Sequence, residues 1–280
     1  MILELLEYLT TPCPAAVRSM GFLSSALRVR ARYRRCRRAW TPHLERTRRA
    51  VLEAVSLSPG RRKAMVLGGG LLYDVPVEEL SRMFERVLLV DIVHPRLSRM
   101  AVRRFANVEQ VSADVTEVMH LVRRSGRDPG AALPTSRPMG FIDDPELDLT
   151  LSVNLLSQLP HVPRKLLAKF WDEADVDAFS KHLIEAHLDY LRRLPGHTAL
   201  IADAAVGRRA AGGGGELLEE WSALHGAPLP PAGDSWEWRL APSPEIERGV
   251  DLFTTVFAYP DWKKACEDGD GGGLPDSPRP

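Results

Sequence analysis

Between residues 60 and 260, short unbroken apolar runs alternate with stretches of helical period. Ala64–Leu67 is apolar without polar alternation, as in a strand covered on both faces. Gly68, Gly69 and Gly70 follow at once, where a backbone without Cβ can turn sharply and lie close to another group. A helix is predicted from about Val75 to Phe84, with Asp74 as its N-cap, Pro76 in the first turn, and Val77, Leu80 and Phe84 on one face. Arg86–Asp91 is a second buried strand ending in an acid. A helix over about 96–105, opened by Pro95, leads to a third strand in Asn107–Asp114, also followed by an acid. Asp148–Val153 is the fourth strand. Residues 173–194 form a long amphipathic helix, and Thr198–Ala202 is the fifth strand. Runs at 236–240 and 251–257 form the last two. This alternation predicts an α/β fold: a mostly parallel doubly wound sheet, closed by an antiparallel, hairpin-like pair.

The first sixty residues read differently. A short helix over 2–9 stops at Thr-Thr-Pro-Cys-Pro, and a second spans 15–39. Thr41 then caps a third, with Pro42 at its first position and Leu44, Val51, Leu52 and Val55 as its core stripe. The expected organisation is a helical basic appendage over 1–60, a Rossmann-like domain over 61–262, and a disordered tail over 267–280, too poor in apolar residues to order itself. The Gly/Pro/Arg/Ser-rich stretch 124–146 reads as a lid or as disorder. Residues 207–235, with the Gly212–Gly215 run, read as a mobile insertion carrying a short helix.

Charge changes the picture only locally. Lys+Arg and Asp+Glu are both 37, so net charge selects no partner. Residues 1–60, however, hold 11 Arg and 4 Glu, a net +7 against −7 for the remainder. Seven of those arginines (28, 30, 32, 34, 35, 37 and 38) lie within eleven positions, interleaved with Tyr33 and Trp40. A solvated, salt-bridged face is the favoured reading; a nucleic-acid surface is the less favoured one. Between them stands a small acidic substrate held by one or two guanidinium groups. Three scattered cysteines, Cys13, Cys36 and Cys266, without metal spacing, favour a reducing cytoplasm. No apolar run reaches the length of a membrane span, and the N-terminus lacks a signal-peptide pattern. No metal site is expected.

The chemistry concentrates at the strand ends. A glycine turn after one strand and an acid at the tip of the next is the layout of a nucleoside-binding unit, in which Asp91 would accept hydrogen bonds from ribose hydroxyls. A dinucleotide fingerprint would need a third glycine where Tyr73 stands. Asp74, Glu78 and Glu79 at the helix start would repel a pyrophosphate there. A nucleoside without phosphate fits better.

On VLGGGLLYD and VLLVD, with two later segments, the chain resembles the class I (Rossmann-like) S-adenosylmethionine-dependent methyltransferases over roughly residues 60–260. The resemblance implies S-adenosylmethionine (SAM) as cofactor, with Gly68, Gly69 and Gly70 passing its methionine end. It implies Asp91 on the ribose, Asp114 on the adenine amino group, and Asn154 beside the sulfonium or the substrate. It also places the N-terminal segment over the cofactor or the substrate pocket. The family usually carries an acid just before the glycine loop, where this chain has Val66-Leu67. The methionine amino group would then fall to Asp74 or a backbone carbonyl. Gln158 and His161 are weak candidates for the substrate side; for His161 a turn-capping role weighs more. His94, past the second strand, reads as a capping or surface residue.

Methyl transfer from a sulfonium is an in-line displacement that needs positioning first and a base only for a protonated nucleophile. The absence of a catalytic dyad is therefore compatible with it. The expected activity is methyl transfer to a small molecule, an acidic one where one or two of the arginines hold it. Three alternatives stand beside it: a non-catalytic binding or scaffold protein, a nucleic-acid methyltransferase, and an NAD-dependent oxidoreductase.

Overall fold

The apolar runs become neighbouring strands of one sheet. The structure, a computed structural model, describes residues 2–125, 132–212, 215–231 and 233–270. Its strands are β1 (Lys63–Leu67), β2 (Arg86–Asp91), β3 (Val108–Ser112), β4 (Leu147–Val153), β5 (His197–Ala210), β6 (Leu217–Ser222), β7 (Asp234–Ala241) and β8 (Val250–Tyr259). They lie in the order β3-β2-β1-β4-β5-β8-β7, with β6 paired to β5 off this path. The pairs among β1 to β5 on that path are parallel, while β8 runs antiparallel to both β5 and β7. The chain winds outward from β1 in both directions, so the crevice between β1 and β4 is a topological switch point. In open α/β sheets, ligands collect at the carboxyl ends of the strands there.

The helices are α1 (Ile2–Thr10), α2 (Ala15–Met20), α3 (Phe22–Leu57), α4 (Val77–Met83), α5 (Arg96–Val102), α6 (Met119–Ser125), α7 (His161–Leu167), α8 (Glu173–Arg193) and α9 (Trp262–Asp270). Side chains alternate along each strand, so β1 sends Ala64 and Val66 to one face and Met65 and Leu67 to the other. The first face is covered by α3 and α4, through Trp40, Val51, Val55, Leu80 and Phe84. The second is covered by α8 and α9, through Ile184, Leu188, Leu191 and Trp262.

Three local expectations fail. The helix break expected at Thr41-Pro42 is absent: α3 runs through Pro42 for 36 residues, and Thr41 Oγ1 donates to Arg37 O at 3.0 Å within it. An interior proline costs about 3 kcal/mol in lost hydrogen bonding and steric clash. Trp40, His43, Leu44 and Thr47 all bury on this segment, and that packing outweighs the cost. The chain bends instead at Gly21, whose φ of 96° is costly for any side chain with a Cβ. Second, Asp74 does not cap the following helix. That helix starts at Val77 behind Pro76, without a side-chain cap, and the Asp74 carboxylate is used elsewhere. Third, the short helix expected within 207–235 is the strand β6. The overhanging half of β5 exposes backbone donors and acceptors, and residues 217–222 satisfy them although their own side chains stay exposed.

Residues 40–55, placed by sequence in a separate appendage, share one core with β1, β2, β4, β5, β7 and β8. Part of the 124–146 stretch is anchored: Ser136 is buried, its amide donates to His182 Nε2 at 2.9 Å, and its hydroxyl donates to Thr116 O. Residues 126–131 of that stretch, and 213 and 214 of the glycine run, lie outside the described residues. α9 carries the chain to Asp270, over the first residues of the expected tail; 271–280 also lie outside.

Candidate functional site

The turn after β1 and the end of β2 are in contact. Gly68 adopts φ 85°, and its amide donates to Val90 O. A Cβ on Gly70 would stand 2.6 Å from Asp91 Oδ2 and 2.8 Å from Val93 O, so the acid lies across the glycine with no space between them. A Cβ on Gly69 would meet Leu89 at 3.2 Å, which is tight. Burial lifts the Asp91 carboxyl to about 6, against the opposing pull of the Val93, Gly70 and Ile92 backbone amides. Val93 N donates to Oδ1 at 3.2 Å. Backbone donors thus orient the carboxylate, and its remaining lone pairs are free for the vicinal hydroxyls of a ribose.

The end of β4 carries the second group. Asn154 follows the strand at φ 48°, a left-handed conformation that asparagine tolerates. It is 6% exposed. Its Nδ2 lies 2.6 Å from Asp74 Oδ2 and 3.2 Å from His43 Nε2, and its Oδ1 has no partner. His43, on α3, is stacked on Trp238 at 3.9 Å, and its Nδ1 accepts from Trp236 Nε1 at 3.1 Å. An indole N–H can only donate, so a neutral His43 must carry its proton on Nε2, facing the Asn154 amide. Burial keeps His43 neutral, with its pKa lowered to about 3. Two N–H groups would therefore face each other. Turning the amide over, with a proton on Asp74, removes the conflict: the amide oxygen then accepts from both His43 and Asp74. Burial pushes Asp74 in that direction, opposed by its Asn154 bond and by the nearby Arg48. Arg48 itself donates to Tyr73 O at 2.6 Å.

A third group was not singled out from sequence. Asp203, on β5, accepts from Ser157 Oγ through Oδ2 at 2.9 Å, while its Oδ1 is buried without a partner. Burial raises its pKa to about 6; Ser157 works against this, and the neighbouring Asp74 adds to it. The pairing with β8 shifts register between Asp203 and Ala205, a bulge that re-aims side chains. The available signal was an acid inside the apolar run Thr198–Val206. His43 likewise sat in plain view, at helical spacing between Trp40 and Thr47.

The remaining candidates stand apart. Asp114 is occupied by its own turn: Oδ1 accepts from Thr116 N and Oγ1, and Oδ2 from Met119 N at 2.8 Å. Gln158 is exposed and its amide folds back onto Asn154 O. His161 is exposed at the start of α7. His94, read as a capping or surface group, is buried, with Nε2 3.1 Å from Val111 O. Within the basic run, Arg30 pairs with Glu7, and Arg35 grips Glu245 with two nitrogens, the shorter contact 2.6 Å. Among the described residues, no three His, Cys, Asp or Glu side chains are placed to hold a metal, and no helix is long and apolar enough to cross a membrane.

No family model matches the chain, and no curated protein matches it. Similar solved structures include the N-methyltransferase NodS from Bradyrhizobium japonicum WM9 in complex with S-adenosylhomocysteine (12% identity, 78% of this chain and 87% of that chain covered, TM-score 0.35). Another is the Burkholderia thailandensis 1,6-didemethyltoxoflavin-N1-methyltransferase with bound 1,6-didemethyltoxoflavin and S-adenosylhomocysteine (15% identity, 88% and 91% covered, TM-score 0.37). A third is a SAM-dependent methyltransferase from Leishmania major (16% identity, 90% and 81% covered, TM-score 0.29). Likenesses this distant assign no ligand to the present chain, whose reading rests on its own side chains.

Proposed function

We propose that this chain is a SAM-dependent methyltransferase acting on a small molecule. The observation that carries the reading is the contact between Gly70 and Asp91 at the ends of β1 and β2, which makes one edge from a glycine turn and a backbone-oriented carboxylate. Asp91 holds the ribose hydroxyls, and the turn Gly68–Gly70 passes the methionine end. Asn154 and Asp74 face the region between the methionine and the acceptor. Asp114, through lone pairs its own turn does not use, is the remaining candidate for the adenine amino group. The bound cofactor supplies an activated methyl group on a sulfonium. The chain orients the acceptor for in-line attack and keeps water out, with His43 of α3 packed against Asn154 at the end of β4. Glu78 and Glu79, in the first turn of α4, disfavour the pyrophosphate of a dinucleotide.

The carboxyl groups that converge at the strand ends are Asp74, which carries a proton and has Arg48 nearby, and the acids Asp91 and Asp203, whereas Arg30 and Arg35 of the basic run are engaged by Glu7 and Glu245. This favours a neutral or cationic acceptor over the acidic one considered from sequence.

The direct test is calorimetric titration with SAM, S-adenosylhomocysteine and NAD. SAM and S-adenosylhomocysteine should bind and NAD should not; a response to NAD alone would point to an oxidoreductase, and no response to a scaffold. Asp91→Ala removes charge-assisted hydrogen bonds of about 1.5–3 kcal/mol each, so affinity should fall at least about tenfold with the fold retained. Unchanged affinity would remove Asp91 from the site.

A nucleic-acid substrate predicts a different outcome. Each phosphate contact on a single strand would add about −0.7 to the log–log salt slope of binding. We expect no such steep dependence for RNA or DNA. Micromolar binding that the combined Arg34→Gln, Arg37→Gln and Arg38→Gln variant abolishes would establish the nucleic-acid reading instead.

A further inference from the structure

We propose that Asp203 is the proton-accepting residue for the methyl acceptor, and that the acceptor is an amine whose N–H faces the free Oδ1 of that carboxylate. The inference rests on the SAM reading above and concerns the acceptor side of the same crevice.

The acids of the crevice differ in what they have left to offer. Asp91 is oriented by backbone amides of the glycine turn and its own loop. Asp114 is held by Thr116 and Met119. Asp74 meets the Asn154 amide, and the tautomer that Trp236 imposes on His43 makes Asp74 the partner that carries a proton. Asp203 is different: Ser157 fixes one oxygen at 2.9 Å, and the other is buried with no donor. A buried carboxylate oxygen without a donor costs stability and calls for a partner, whether a water, an ion or a ligand N–H, to complete it. The 94%-buried Asn154, with its own unpartnered amide atom, provides a second incomplete polar group on the neighbouring strand end. With Asp74 protonated and His43 neutral, the charge next to the acceptor is that of Asp203. Two acids in different environments, one protonated and one ionised, are the usual division of labour at a proton-transfer site.

The sign of that charge selects the acceptor. A phenolate or carboxylate nucleophile would enter against a desolvated anion. A neutral amine becomes cationic as it is methylated, so an adjacent carboxylate favours its transition state over its ground state. The amine lone pair forms the N–CH3 bond as the C–S bond breaks, with its electron pair left on sulfur. The sulfonium becomes a neutral thioether and the nitrogen becomes an ammonium. That nitrogen gives its proton to Asp203 Oδ1, which releases it to solvent.

The test separates this proposal from the cofactor reading. S-adenosylhomocysteine is titrated first, into the full chain; failure to bind overturns the cofactor reading. The chain saturated with it is then titrated with benzylamine, benzyl alcohol and phenylacetate. Benzylamine should bind at least about tenfold more tightly than the other two. Asp203→Asn should abolish that preference while leaving S-adenosylhomocysteine affinity within about threefold. Ser157→Ala, which frees the carboxylate but keeps its charge, should weaken the preference without abolishing it. The proposal is overturned if phenylacetate or benzyl alcohol binds as well as benzylamine, if Asp203→Asn keeps the amine preference, or if the loaded chain binds none of the three.

Discussion

Gly70→Ala is expected to lower S-adenosylhomocysteine affinity by more than Asp91→Ala does, for which the loss is at least about tenfold. The added methyl would stand 2.6 Å from Asp91 Oδ2 and 2.8 Å from the Val93 carbonyl oxygen. The carboxylate belongs to a short side chain tied to backbone amides, and the carbonyl is itself backbone, so neither can give way alone. The turn and the end of β2 must separate, which displaces both proposed contacts with the nucleoside at once. Overpacking of this kind costs about 1–3 kcal/mol of stability, a loss that a domain of this size tolerates. The neighbouring glycines calibrate the effect. Gly69→Ala meets Leu89 at 3.2 Å and should weaken binding least. Gly68→Ala combines a φ of 85° with contacts at 3.1 Å and should fall between. Calorimetry of the three variants, with circular dichroism to show the fold intact, checks the order. Equal affinities for Gly70→Ala and the parent chain would mean that no ligand depends on this turn.

The sheet was readable because its signal is local and repeated. AMVL and VLLV are continuous apolar runs, LTLSV interrupts its run only with the small polar Thr150 and Ser152, and each is a strand covered on both faces. Local preference yields where tertiary contacts override it. Pro42 should end a helix by its own chemistry, yet Trp40 and Leu44 on either side of it are buried against the sheet and carry α3 through. Leu217–Ser222 has no strand alternation to detect; it is a strand because β5 overhangs β4 and offers it backbone partners. Asp74 looked like a helix cap because acids commonly precede helices, but its partner, Asn154, is 80 positions away. The same distance in sequence hid the cluster around it. His43, Asn154 and Asp203 come from α3, the end of β4 and β5, and only the folded sheet brings them to one edge. The glycine turn and Asp91, by contrast, are consecutive parts of one β–α–β unit, and for that reason they could be picked out together from the sequence.

The chain should lose stability as the pH falls from 6.5, through two histidines that fold in their neutral form. Burial lowers His43 from 6.5 to about 3 and His187 from 6.5 to about 4. The geometry gives the reason. His43 Nδ1 accepts from the Trp236 indole and cannot also bear a proton. His187 Nε2 lies 3.0 Å from Ser152 Oγ, while its Nδ1 is buried without a partner and would become an unsatisfied donor if charged. Below 6.5 the unfolded chain therefore takes up protons that the native chain refuses. Stability is fully present above that pH and is lost as the pH falls toward the native values. At pH 5 each histidine should cost about 2 kcal/mol relative to neutral pH. Asp91 and Asp203 act in the opposite sense. Their native pKa values, raised from 3.8 to about 6, make the native chain the stronger proton acceptor between those values, so they return stability as the pH falls. The pH profile of the parent chain thus understates the histidine effect, and a difference measurement isolates it. Unfolding free energies at pH 7 and pH 5 are compared for the parent, His187→Gln and His43→Gln. Each substitution lowers stability at both pH values through lost packing, and that loss cancels in the comparison. The drop between pH 7 and pH 5 should be smaller by about 2 kcal/mol in either variant than in the parent. An unchanged drop in the His43 variant would mean that His43 is charged in the native state, and with it the assignment of the shared proton to Asp74 would fall.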